Sequence, residues 1–91
     1  MTADKVREVI AVYRRKFEEM GVPKRKAPHD SFPATDAEYL AHCHAMLDEM
    51  EEFLDQGRIE KVFRWLGFNQ GCLWRCGIYT IEEMKEHNRP R

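Results

Sequence analysis

Two clusters of side chains in this 91-residue chain are of types that do chemistry, and their spacing tests each one. His42, Cys43 and His44, with Cys72 and Cys76 further on, hold the donors of a soft-metal site. On a helix His42 and His44 point about 200° apart, so one ion cannot take both, and zinc sites use spacings such as i and i+4 or a CxxC turn. A mixed site of Cys72, Cys76 and one histidine is the remaining metal alternative, set against the frequent use of buried cysteine as a small apolar residue. Glu49 and Glu52 stand one turn apart and could share Mg²⁺, but such a cage needs several oxygen ligands, and the following helix offers only Glu60. No Cys, Ser or Thr stands in a recognisable local relation to a histidine, as an activated nucleophile requires. The expectation is a non-enzymatic chain with no metal, no cofactor and no catalytic residue.

The Glu49-x-x-Glu52 pair resembles one half of the acidic cage in all-helical nucleotide pyrophosphatases of the MazG type. That family carries a second acidic pair on the next helix, which is missing here. A solvated acidic face explains the pair better, so a metal-dependent nucleotide hydrolase ranks last among the functional readings.

The stretch from Arg58 to Gly77 is the most unusual in the chain. At about 100° per residue, Ile59, Val62, Phe63, Leu66, Leu73 and Trp74 form one broad apolar face, and Trp65, Phe68, Cys72 and Cys76 form a second. The first is expected to be core, which makes this helix central. The second, Trp65, Phe68 and Cys72, is expected to bury against another copy in a homo-oligomer. Between them runs a strip with Glu60, Arg64, Gly67, Gly71 and Arg75. Each interior glycine costs about 0.5 to 1 kcal/mol relative to alanine, which invites an explanation. Three are open: a helix of the same monomer packs there, a second subunit packs there, or an anion such as a nucleotide sits between Arg64 and Arg75. Gln70, beside the glycines, needs a hydrogen-bond partner if buried.

Charge is segregated along the chain. Residues 1–29 sum to +4, residues 30–56 to −8 with no Lys or Arg, and residues 57–91 to +3. The pattern predicts an acidic element lying beside basic ones, within the monomer or between subunits, and argues against a uniformly basic nucleic-acid surface. Asp48, Glu51, Glu52 and Asp55 form an acidic face on which a protein partner could dock. The Lys24-Arg25-Lys26 cluster is either a contact for an anionic partner or simply solvated. There is no apolar run of membrane-spanning length and no secretory signal pattern. Cys72 and Cys76 are poorly placed for a disulfide on one helix, so reduced thiols in a cytoplasmic protein are expected.

The elements that must position these residues are well signalled. Apolar spacings of three and four predict helices over about 4–20, 36–55 and 58–76, and a short one over about 81–87. Gly21 with Pro23, and Gly57, end the first two. Thr35 with Glu38 and Thr80 with Glu83 are capping boxes. Residues 22–34 form a Pro-rich loop, with Phe32 expected to anchor it. The fold class is a single-domain all-α bundle of three main helices plus a short C-terminal one.

The segment RWLGFNQGCLWRCGIYTIEEMKEHNRP resembles the ends of small uncharacterised helical proteins encoded by bacteriophages and prophages, with the pattern R-x-L-G-x-x-Q-G-x-L, then G-x-Y-T-x-E-E, then H-N-R-P. The resemblance covers about the last third. It implies no activity, but it implies a setting: an accessory protein in a bacterial or infected cell, acting on a bacterial protein partner. The fourth helix is expected to fold back beside the third, so that Arg64, Gly67 and Gly71 meet the turn of His87, Asn88 and Arg89 in one cationic site.

Overall fold

Threonine hydroxyls start three of the four helices in the computed structural model, which describes residues 1–90. Thr2 Oγ1 accepts from Lys5 N at 3.1 Å to open α1, Ala3–Glu19. Thr35 Oγ1 accepts from Glu38 N to open α2, Asp36–Asp55, while the Glu38 carboxylate reaches one residue further, to Ala34 N at 2.7 Å. The capping box at Thr80 is complete, with Glu83 N donating to Thr80 Oγ1 and Thr80 N donating to Glu83 Oε1, and it opens α4, Ile81–Asn88. Helix α3, Ile59–Arg75, has no side-chain cap. Its start follows from the end of α2: Gly57 takes φ +74°, and Arg58 N then returns to Phe53 O at 2.9 Å. That conformation is closed to most side chains, and it reverses the chain in two residues. α2 and α3 therefore form an antiparallel hairpin.

The all-α expectation holds, with each helix boundary within a residue of its reading from the sequence. The centre of the bundle differs. α2 packs against both α1 and α3, and α4 packs on α1. Leu40, Cys43, Met46, Leu47, Met50 and Leu54 of α2 meet Val6, Val9, Ile10, Tyr13 and Phe17 of α1. α3 contributes only Val62, Leu66, Asn69 and Leu73 to the buried set. With α1 seated on α2 and carrying α4, no helix among the described residues covers the outer side of α3. Phe63, Phe68 and Trp74 are 39%, 52% and 55% exposed, so Trp74, expected in the core, lies on the surface instead. Trp65 is half-buried, edge-on to Phe53 of α2 at 5.0 Å between ring centroids.

The charge segregation is resolved inside the monomer. Arg14 of α1 forks to Asp48 and Glu51 of α2, both at 2.7 Å, and Arg7 reaches Asp55 at 3.2 Å. Lys24 of the loop pairs with Asp48 at 3.0 Å, and Lys26 with Glu49. The loop is clasped by histidines: His42 Nδ1 accepts from Ala27 N at 2.9 Å, and His44 Nδ1 lies 2.8 Å from Val22 O, to which it donates. Phe32, expected as the anchor, is 93% exposed, because it lies beyond the segment that these contacts tie down.

Candidate functional site

The exposed seam of the α2–α3 hairpin, on the side away from α1, gathers most of the unusual residues. Along α3, Lys61, Trp65, Phe68, Cys72 and Arg75 recur at spacings of three and four, so they lie in one stripe. Tyr39, His42, Met46 and Phe53 of α2 run beside it. Phe68 forms a ridge between two depressions. One, of about 550 Å³, is lined by Phe53, Trp65, Phe68 and Met46, with Lys61 and Arg64 at its edge. The other, of about 450 Å³, is lined by Tyr39, Gly67, Phe68, Gly71, Cys72 and Arg75.

Gly67 and Gly71 answer one of the open questions. A Cβ built on either would meet no atom of the described residues within 4 Å. Close packing of another helix of the monomer is therefore not why they are glycines, and both open onto the surface beside Phe68.

Electrostatically this seam is the reverse of the α1–α2 side. Arg58, Lys61, Arg64 and Arg75 have no carboxylate partner among the described residues, whereas Lys5, Arg7, Arg14, Lys24 and Lys26 are paired and only Arg15, Lys16 and Arg25 of α1 and the loop are not. Lys61 Nζ instead stands 4.4 Å from the Phe53 ring centroid and 5.5 Å from that of Trp65, and the Arg58 guanidinium 5.1 Å from Phe53. Cations held over aromatic faces keep their charge available to solvent. The Cys43 and Cys72 thiols are neighbours across the hairpin; the influence of Cys43 lowers Cys72 to about 7 against the cost of its partial burial, and Cys72 together with burial in the core holds Cys43 well above the ordinary thiol range.

A second cluster locks α4 in place. Gln70 Nε2 donates to Tyr13 Oη at 2.9 Å and to Asn88 Oδ1 at 2.8 Å, and Asn88 Nδ2 donates back to Gln70 Oε1 at 3.3 Å. Tyr13 Oη lies 3.1 Å from His87 Nδ1. Burial pushes the Tyr13 phenol up to about 12 and His87 below its ordinary value, so the phenol is the donor to a neutral imidazole. The Tyr79 ring packs on both, 5.6 Å from Tyr13 and 4.6 Å from His87. The phenol and both amides are consumed by these contacts, which makes the cluster a latch joining α1, α3 and α4.

The expected single cationic site is therefore divided. Gln70, His87 and Asn88 meet in the latch, while Gly67, Gly71 and Arg75 line the seam, and Arg64 edges the other depression. Arg89 pairs with Glu86 at 2.7 Å. Of the acidic docking face, Asp48, Glu51 and Asp55 are engaged by Arg14, Lys24 and Arg7. Hydrogen bonds from Lys24 and Arg14 outweigh the effect of partial burial and hold the Asp48 carboxyl below its usual range. Glu52 alone of the four has no ion-pair partner among the described residues. Of the expected oligomer contact, Phe68 is exposed, and Trp65 and Cys72 are half-buried.

The latch residue that the sequence does not single out is Tyr13, one of the apolar-face positions of the first helix. Its hydroxyl and the Gln70 amide each required a buried partner, and that shared need was the available signal. Among the described residues no three His, Cys, Asp or Glu side chains converge to hold a metal ion, and no helix is long and apolar enough to cross a membrane. Comparison with protein-family models, with curated proteins and with solved structures gives no match.

Proposed function

We propose that this chain is a small non-enzymatic interaction protein that holds a protein partner against the outer face of its α2–α3 hairpin. The observation that carries this reading is the pair of interior glycines, Gly67 and Gly71, left open beside the exposed Phe68. Two glycines weaken a helix by roughly 1 to 2 kcal/mol together, and no neighbour among the described residues accounts for them. The exposed ring of Phe68, standing between two depressions partly lined by apolar side chains, supports the same reading, since exposed apolar patches mark interaction sites. Small-anion binding between Arg64 and Arg75 is less favoured. Eleven residues separate them on one helix, about 16 Å at 1.5 Å per residue, which no single small anion spans.

The resemblance of the C-terminal segment to phage-encoded proteins directs the test to a bacterial lysate. Tagged wild-type protein and a Phe68→Ser variant, matched for helicity by circular dichroism, are each exposed to the lysate, and captured proteins are identified by mass spectrometry. A partner held by the wild type and lost by the variant is the expected result. Capture that is identical for the two proteins would overturn the reading.

A further inference from the structure

We infer that the occupant of this seam is an acidic amphipathic helix of the partner protein, seated along α3 with its apolar side over the Phe68 ridge and its carboxylates against Lys61, Arg64 and Arg75. This rests on the interaction reading and adds to it the chemistry of the partner.

Three features lead to the helix. First, the seam is double-walled: α2 and α3 run antiparallel, α1 packs on α2 from the opposite side, and the loop borders only the first depression, through Lys26 and His29. A third rod laid there completes a bundle on the open side, the helix-in-groove mode of recognition. Second, its length fits. From Lys61 to Arg75 the α3 stripe runs about 21 Å at 1.5 Å per residue, the span of four turns of a partner helix. Third, the two depressions on either side of Phe68 supply separate seats for apolar side chains one or two turns apart, one floored by Phe53 and Trp65 and the other by Tyr39 and the open glycines.

Charge selects the sign of the partner. α3 and its approach hold Arg58, Lys61, Arg64 and Arg75 against the single acid Glu60, and none of these cations is neutralised by an ion pair among the described residues. A second copy of this chain is a poor match. A two-fold contact through the seam would set Lys61, Arg64 and Arg75 against their own counterparts, and the acidic residues that might answer them, Asp48, Glu51 and Asp55, are engaged by α1 and the loop. A nucleic-acid backbone fits less well too, because Asp36 and Glu49 border the depressions and a polyphosphate offers negative charge continuously. A helix can place its carboxylates only where the cations are.

The test uses the full chain and a synthetic helical peptide of about 16 residues, free of tryptophan, with leucines on one face and glutamates on the flanks. Control peptides carry glutamine or lysine in place of glutamate, and a single-stranded DNA oligonucleotide serves as a generic polyanion. Binding is followed by the fluorescence of Trp65 and Trp74. The glutamate peptide should bind about tenfold more tightly than the glutamine one and weaken as salt rises. The lysine peptide should not bind, and Lys61→Glu/Arg64→Glu should reverse the order of the acidic and basic peptides. Phe68→Ser should abolish binding of both.

Equal affinity for the glutamate and glutamine peptides would overturn the acidic partner, and tighter binding of the DNA would replace it with a polyanion surface. Light scattering that shows a dimer dissociated by Phe68→Ser would assign the seam to a second copy. If no peptide binds while a lysate partner still depends on Phe68, the inferred chemistry fails and the interaction reading stands. If no Phe68-dependent partner exists either, both fall.

Discussion

Replacing Gly67 and Gly71 together by alanine should make this protein more stable and a poorer binder. In a helix interior alanine is better than glycine by about 0.8 to 1 kcal/mol per site, chiefly because the unfolded chain loses freedom. That gain survives only where the new methyl meets no resistance, and at both positions an added Cβ faces open space. Neither methyl contacts a shared neighbour within the described residues, so the two gains should sum to roughly 1.5 to 2 kcal/mol. In a domain of this size, each kcal/mol raises Tm by about 4 to 8 °C, so the double variant should melt roughly 6 to 16 °C higher. Urea unfolding followed by tryptophan fluorescence and thermal circular dichroism measure the effect independently, and an unchanged m-value would assign it to the native fold rather than to a changed denatured state. The same methyls narrow the depression beside Phe68, so a partner seated there should bind less well. Gly71→Leu, which fills that space, should block binding while the helix content stays the same. A double alanine variant that is less stable than wild type would refute the reasoning, because it would mean that something packs on these glycines in solution. A wild-type Tm that rises with protein concentration would identify that something as another copy.

Three further outcomes follow from the latch and the thiols. Tyr13→Phe removes the hydroxyl that joins Gln70 to His87, so it should cost about 1 to 2 kcal/mol, and amide hydrogen exchange should accelerate in α4 more than in α2; uniform exchange across the helices would contradict the latch. Burial depresses the His87 and His42 imidazoles, so the unfolded chain takes up protons first as pH falls. The stability they contribute is present above the ordinary imidazole pKa of about 6.5 and is lost as pH falls through it towards the lower native values; His87→Asn should flatten the curve of urea midpoint against pH in that window. The Cys72 thiol, half-buried and lowered to about 7 beside Cys43, should alkylate ahead of Cys43 near neutral pH, with the buried Cys43 protected until unfolding, as peptide mapping after iodoacetamide treatment would show. Equal labelling of Cys43 and Cys72 in the folded protein would count against the burial of Cys43.

The helices were legible because the signals that make them are local. Apolar residues three and four apart define α1 and α2, Thr35 and Thr80 sit one residue before their helices, and Gly57 sits one residue past α2's C-cap. The need of Gln70 for a partner and the segregation of charge were equally visible, since both are properties of residue types. The partners were not. Gln70 finds Tyr13 across 57 positions of sequence, and Tyr13 finds His87 across 74. A helical wheel gives the direction of a side chain and says nothing about what stands opposite. For α3 this mattered most: with apolar residues on two faces, the wheel allowed Trp74 or Trp65 to be the buried one, and the packing of α1 onto α2 settled it by leaving the Trp74 side uncovered. The same packing brought Arg14 and Arg7 onto the acidic helix and left the cations of α3 without partners. Periodicity and caps are set within one or two helical turns, and the sequence alone determined them. Which face is covered depends on where each helix docks, and only the tertiary structure decides that, because burial is a competition among surfaces for a limited number of neighbours.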